Sequence, residues 1–431
     1  MFEWSEEHRM VRDAVRTFVD TEIRPRRDEI EFGDTPPYDL LREFFRTFGL
    51  DAMARDQFKK RIDAQRERDE ALARGEEPPE HTPRSGGKDP ALALIPVVEL
   101  SRCSPGLVTA LGVSTGLAAG TIMSKGTIEQ KERWGLDLLT LDKIGAWAIT
   151  EPGSGSDAFG GMLSTARRDG DEYILNGSKT FITNGPYADT TVFICKLDEG
   201  NAPEDRRILN FVLDRGLPGF EQTAPLRKMG LHSSPTGELF LTDVRVGADR
   251  LLGGREGSQG SGRDSAKENF VIERTGVAAM ALGVVERCLE VSVEYARERV
   301  QFGKRIGDYQ LIQLKLAKME VARLNITNLV YRTLEMRRAG RAMSLAEASA
   351  MKLYAAQSAT EVALEAVQLF GGNGYMAEYE VEQLARDAKV LQIYAGTDEM
   401  QIRHIAIDLL SEKDDPAKPD SAEADSAGNA E

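Results

Sequence analysis

Cysteine, histidine and excess positive charge are all scarce in this 431-residue chain, and each scarcity narrows its chemistry. The three cysteines (Cys103, Cys195, Cys288) lie far apart with no CxxC pair, so neither a disulfide framework nor a thiolate metal centre is indicated, and a reducing, cytoplasmic setting fits. The four histidines (His8, His81, His232, His404) are equally scattered, which argues against a zinc or iron–sulfur site. With 55 basic and 70 acidic residues the net charge is −15. Nucleic acid and anionic membrane surfaces need clustered Lys and Arg, so this balance points away from both. No apolar run approaches the roughly 20 residues that span a bilayer. The start, Met1-Phe2-Glu3-Trp4-Ser5-Glu6-Glu7, has neither the basic-then-apolar order of a secretory signal nor an Arg/Ser-rich transit composition.

What is present is a soluble, globular composition, 41% apolar and 7% aromatic, long enough for two or three domains. Apolar residues at helical spacing (Val11, Val15, Phe18, Val19; Leu41, Phe44, Phe45, Phe48) predict helices over residues 5–53. Residues 55–90 hold nine basic and nine acidic residues with few apolar ones and read as a charged, solvent-exposed helix running into a flexible loop, an insertion within the first domain. Helical patterning returns from Ala91 to about Leu139. Short β-type runs then follow: Gly145–Thr150, Tyr173–Leu175, Thr190–Ile194, Leu209–Leu213 and Leu239–Leu241. The dipeptides Asp169-Gly170, Asn176-Gly177 and Asn184-Gly185 between them carry the positive φ that tight hairpins require. From Ser265 to about Leu410 long amphipathic segments break at Gly303, Gly340 and residues 371–374, the pattern of a four- or five-helix bundle. The tail, 412–431, has seven acids and two bases, net −5, and reads as disordered. The expected organisation is therefore an N-terminal helical domain (1–144), a central antiparallel β domain (145–262), a C-terminal helical bundle (263–411) and an acidic tail.

Several separated motifs carry chemistry. They are Trp147-Ala148-Ile149-Thr150-Glu151-Pro152-Gly153-Ser154-Gly155-Ser156-Asp157, Lys179-Thr180-Phe181-Ile182-Thr183-Asn184-Gly185, Arg299-Val300-Gln301-Phe302-Gly303-Lys304 with Gln310, Gln368-Leu369-Phe370-Gly371-Gly372-Asn373-Gly374-Tyr375, and Arg386-Asp387 followed by Gln392-Ile393-Tyr394-Ala395-Gly396-Thr397-Asp398-Glu399. Together, in this order, they resemble the acyl-CoA dehydrogenase family over residues 5–410. The resemblance implies an FAD-dependent oxidation of an acyl-CoA thioester, with a base removing the α proton and hydride passing from the β carbon to flavin N5. It also implies a homotetramer built from dimers, or a heterotetramer with a related chain, and electron transfer to an electron-transferring flavoprotein.

Residue by residue, the resemblance places Trp147, Ile149, Thr150, Phe181 and Thr183 at the flavin ring and Gly155 and Ser156 at flavin or CoA phosphate oxygens. It places Arg299, Phe302, Gln310, Gln368 and Gly372 at the pyrophosphate and subunit contact, and Thr397 and Glu399 at the adenosine half. The residue types suit these places. Hydroxyls and strand amides meet a ring edge, a Gly-Ser turn admits an anion, and a guanidinium pairs with pyrophosphate.

One departure bears on catalysis. Where many members have a glutamate base, this chain has Ala395, which can lend only its backbone N–H to the thioester carbonyl. In the helix beginning near Lys267, Glu273, Val277, Met280 and Val284 share one stripe, so Glu273 is a lone carboxylate on an apolar face. The pair Glu273-Arg274 with Ala395 is similar to the isovaleryl-CoA and long-chain branches, which place the base on this helix. Phe270, Arg274, Ser156 and Tyr394 then become substrate-side residues. Other departures are Val271 in place of an acid, Glu399 in place of a glutamine, the long polar turn 254–263, and His232 where arginine is common. Val271, the long turn and His232 bear on whether CoA is held differently or another acyl carrier is bound. A non-catalytic partner subunit and a flavin oxidase of the same fold are the competing readings.

Overall fold

A computed structural model describes residues 3–77, 89–256 and 262–411. The expected acidic tail (412–431), the loop half of the charged insertion (78–88) and part of the polar turn (257–261) lie outside these residues.

The first third is helical: α1 (Glu6–Phe18), α2 (Arg27–Phe32), α3 (Tyr38–Thr47), α4 (Leu50–Ala73), α5 (Pro90–Ser101), α6 (Pro105–Leu111) and α7 (Ala119–Lys125), then the short turns α8 (Ile128–Gln130) and α9 (Leu136–Leu139). Starts are set by local chemistry. Ser5 and His8 form a capping box on α1, and Asp89 caps α5 just ahead of Pro90. A π-helical stretch, Gly112–Ala118, joins α6 to α7. The 21-residue run Pro105–Lys125 contains an 18-residue window with a mean hydropathy of 1.5, so an apolar segment of membrane-spanning length does exist. More than half of it is buried inside the fold, the setting of a core helix.

Helix α4 corrects one expectation. It is not simply solvated: Phe58 and Ile62 are buried against Met123, and Arg61 donates to the Met123 carbonyl at 3.0 Å. Ion pairs from Arg55 to Asp142 and Arg66 to Glu132 add tethers. Two apolar residues one turn apart were enough to dock a helix whose remaining surface is charged.

The strands are β1 (Gly145–Ala148), β2 (Thr165–Asp169), β3 (Glu172–Thr183), β4 (Thr190–Leu197), β5 (Ile208–Asp214), β6 (Phe220–Gln222) and β7 (Thr236–Gly247), joined in one sheet. The sheet is mixed, not purely antiparallel. Strands β1 and β2 run parallel to β4 and share one of its edges, β1 beside residues 190–193 and β2 beside 196–197, while β5 pairs antiparallel with the other edge. This arises because the chain enters the sheet twice in the same direction, separated by the loop 149–164. The dipeptide Asn176-Gly177 is not a hairpin turn either. It lies inside the 12-residue β3 at a break in register, where a Cβ on Gly177 would fall 2.2 Å from Ser164 Oγ. Alternating residues of β3–β5 and β7 form one core; Val192 and Val212 on the opposite face pack under Ala118, Ile122, Trp134 and Leu138.

The last third contains α10 (Gly262–Glu298), a two-strand hairpin of β8 (Val300–Gln301) and β9 (Lys304–Arg305), α11 (Gln310–Arg338), α12 (Leu345–Phe370), α13 (Val381–Val390) and α14 (Asp398–Leu410). Its breaks fall at the glycines the sequence marked, 303, 340 and 371–374. Helices α1, α3 and α5 join α10–α13 in a single large core, so the two helical parts pack as one body.

Candidate active site

Helix α10 runs through the middle of that core. Val277, Met280 and Val284 are buried on its inward stripe, as their spacing requires, and Glu273 continues the stripe toward the protein surface while remaining partly accessible. No hydrogen bond or ion pair to Glu273 occurs among the described residues. Burial pushes its carboxyl up to about 7, against the opposing fields of Arg274 and Lys352. Arg274 is only 2% exposed. Its guanidinium donates to Ser349 Oγ on α12 at 2.8 Å, lies 3.5 Å from His404 Nδ1 on α14 and stands 5.6 Å from the Phe270 ring centroid, so it is an interior cation.

The loop between α13 and α14 comes to the same place. Ala395 has φ 53°, a left-handed conformation that costs a non-glycine residue about 1 kcal/mol and marks a position held by its surroundings. What holds it is legible in the carbonyls. Gln401 Nε2 donates to Ala395 O at 3.1 Å and to Gly396 O at 2.5 Å, and Lys352 Nζ donates to Gly396 O at 2.8 Å. The Ala395 N–H has no acceptor among the described residues. A Cβ on Gly396 would sit 3.5 Å from Arg274 Nη2, which puts loop and helix in contact. The Tyr394 hydroxyl is 3.6 Å from Met280 Sδ and within reach of Thr109 on α6; burial raises its pKa. Thr397 caps α14.

The residues expected at the flavin ring gather on the sheet. Trp147 and the Ile149–Thr150 segment end β1, and Phe181 and Thr183 end β3; Thr180 N–H donates to Thr150 O at 2.9 Å and ties the two together. Beneath them the fully buried Lys179 donates to Glu151 Oε1 at 2.8 Å and to Ile149 O at 3.0 Å. Glu151 in turn accepts from the N–H groups of Leu163 and Ser164. Phe181, at φ 57°, is 69% exposed. Asn184 at φ 64° bridges the sheet to α6 through Gly145 O and Ala110 O, one residue from Thr109. Gly155 and Ser156 form an exposed turn.

A second locus lies apart. Arg299, Gln301, Tyr295, Phe370 and the Gly371-Gly372-Asn373 turn line a cavity of about 330 Å³. Arg299 and Gly372, 73 residues apart, are thereby brought together. Phe302 is 95% exposed at the hairpin tip, and Gln310, Gln368 and Glu399 are exposed without contact to Glu273. His232 is a brace: its ring nitrogens face Glu31 O at 2.9 Å and Lys228 O at 3.0 Å.

Sequence reasoning missed Lys352, Gln401, Ser349, Thr109 and the Lys179–Glu151 pair. Lys352 carried the same signal as Glu273, a lone charge on the stripe Ala348, Met351, Ala355, Ala359. Among the described residues no cluster of His, Cys, Asp and Glu could hold a metal ion.

Comparison with known proteins agrees with this architecture. Family models for the N-terminal, middle and C-terminal domains of acyl-CoA dehydrogenases match residues 5–57, 146–244 and 260–410. An acyl-CoA dehydrogenase of Bacillus subtilis (strain 168) is 36% identical over 399 residues, covering 92% of this chain and 96% of the relative. The structure of butyryl-CoA dehydrogenase from Megasphaera elsdenii superposes with a TM-score of 0.80 at 33% identity, over 95% of this chain and 100% of that one. A glutaryl-CoA dehydrogenase from Mycobacterium smegmatis, in complex with FADH2, gives 0.80 at 28% identity over 95% and 96%. The chain belongs to the acyl-CoA dehydrogenase family.

Proposed function

We propose that the chain catalyses α,β-dehydrogenation of an acyl-CoA thioester with Glu273 as base. The observation that carries this reading is a desolvated carboxylate, without a partner among the described residues, beside a loop whose Ala395 N–H is equally unclaimed. An acyl thioester needs those two groups together: a carboxylate oxygen to take the α proton and a donor for the carbonyl oxygen that gains charge as the proton leaves. A base with a pKa near 7 is matched to proton abstraction at neutral pH. Arg274 supplies a fixed positive charge close to the developing enolate, and Phe270 and Tyr394 wall the cleft.

FAD fits the remaining residues. The hydroxyls of Thr150 and Thr183 have no protein partner among the described residues, and Phe181 stands exposed beside them. The Arg299 cavity combines a guanidinium, two side-chain amides and a Gly-Gly turn, a donor set suited to a pyrophosphate. Bound there, FAD would supply the hydride acceptor for the β carbon. The exposed Phe302, with Gln310 and Gln368, fits contact with a second copy, and we assign the chain to a homotetramer of dimers that passes electrons to an electron-transferring flavoprotein.

Anaerobic bleaching of the flavin against a panel of acyl-CoAs of varied length and branching tests the reaction. One or more should bleach it, slow reaction of the reduced protein with air should follow, and Glu273→Gln should slow bleaching by about 10²–10⁴. Wild-type bleaching rates in that variant would remove Glu273 as base. Rapid peroxide formation would instead favour an oxidase.

A further inference from the structure

Lys352 is fully buried on α12, where the neighbouring stripe positions are alanine and methionine. A buried ammonium needs a purpose or a partner. Its Nζ donates to Gly396 O at 2.8 Å and lies 3.7 Å from Asp398 Oδ1, an ion pair too long for a hydrogen bond. The lysine therefore spends its one good hydrogen bond on the loop that carries Ala395.

We propose that Lys352 is a positioning residue for the reaction: it draws the Gly396 carbonyl into the helical core, leaving the Ala395 N–H open to a substrate carbonyl, and places a fixed charge beside the Glu273–Arg274 pair. The inference rests on the dehydrogenation assigned above. The groups facing Glu273 are Arg274 on its own helix, Lys352 on α12 and Tyr394 on the loop; Asp398 and His404 of α14 act through Lys352 and Arg274. Lys352 and Arg274 favour the ionised base, and both also favour an enolate. Gln401 shares the Gly396 carbonyl, so removal of Lys352 leaves the loop one donor and takes away the charge. Burial lowers the Lys352 ammonium to about 8, which brings its loss of charge within the working range of an enzyme.

The test uses FAD-loaded wild type, Lys352→Met, Lys352→Gln and Lys352→Arg, each checked for flavin content and melting temperature. Two readouts go beyond folding. The first is the pH dependence of flavin reduction by the best acyl-CoA. The second is the long-wavelength absorbance formed with a 3-thia acyl-CoA, whose α proton can ionise on the enzyme although no hydride can follow. The uncharged variants should move the midpoint of the 3-thia band up by about one pH unit and cut reduction at pH 7 about tenfold or more, with KM changed less than about threefold. Arginine should restore the wild-type midpoint. It should also extend activity above about pH 8, where the wild type loses the lysine charge, and this comparison stands even if the uncharged variants fail to hold flavin. A flavin-bound uncharged variant with wild-type midpoint and rate, identical high-pH limbs in wild type and Lys352→Arg, or loss of flavin from the arginine variant would each overturn the proposal. A wild type that no acyl-CoA reduces, and that forms no band, defeats the dehydrogenase reading itself.

Discussion

A carboxylate that is taken from water beside two cations is pulled both ways, and at Glu273 burial outweighs Arg274 and Lys352. The sign has two consequences. As the proposed base, Glu273 must be ionised to act, so flavin reduction is expected to fall about tenfold per pH unit as the pH drops below about 7, a slope that a rapid-mixing pH profile would read. The raised pKa also means that the folded state favours the protonated form. The associated stability is complete below the ordinary carboxylate pKa and is lost as pH rises through about 7. Glu273→Gln should therefore melt above wild type at pH 8, by on the order of 1–2 kcal/mol after allowance for the partly solvated cleft. His232 follows the same pH sign, but here the favoured protonated form is the charged one. Both of its ring nitrogens face carbonyl oxygens, so both must donate, and the adjoining Glu31 carboxylate holds the ring protonated up to about 9. That contribution is complete below the ordinary histidine pKa and disappears as pH rises through about 9. Replacement by glutamine should cost about 1–2 kcal/mol at pH 7 and flatten the stability curve between about pH 7 and 9.5, as chemical denaturation would measure.

Between elements, the Lys179–Glu151 pair sets where the ends of β1 and β3 stand. A buried pair is a weak source of net stability, yet removing one partner strands the other charge. Lys179→Met should cost about 3–5 kcal/mol and release flavin, whereas a double replacement by apolar residues should recover much of the stability; denaturant titration with flavin fluorescence separates the two. The strands themselves were readable from alternation and turn dipeptides. Their partnership was not: β1 and β2 both take one edge of β4, and no periodicity within 145–169 specifies a neighbour 31 or more residues away. Helix α4 shows the same limit. Phe58 and Ile62 are conspicuous only once Met123 is seen opposite them.

On the scale of the whole molecule, a chain of net charge −15 gathers a guanidinium, two side-chain amides and a Gly-Gly turn around one cavity and leaves a set of apolar side chains exposed. Phe302, Val300, and Leu311, Leu314, Val321 and Leu324 of α11 are all open to solvent in the single chain. Such a patch suits an interface between copies. Leu311→Asp with Leu314→Asp is expected to shift sedimentation toward smaller species and to weaken FAD retention together. Arg299→Gln should weaken FAD about tenfold or more without that shift in size, because it removes a charge-assisted bond and not the apolar contact.

By itself the sequence determined the order of a helical, a β and a helical part, the breaks at glycine, and the stripe that isolates Glu273. These are properties of residues within one or two turns of each other, where hydrophobic period and backbone preference act directly. Tertiary structure alone decided what surrounds that carboxylate. Lys352, Ser349 and His404 reach it or its neighbour Arg274 from 75 or more residues away, and a lone buried charge in a sequence announces that it has a partner without naming it. The alanine at 395 is the sharpest case. Its missing side chain was visible from the start, but the availability of its N–H depends on carbonyls held by α12 and α14, which only packing could bring to the loop.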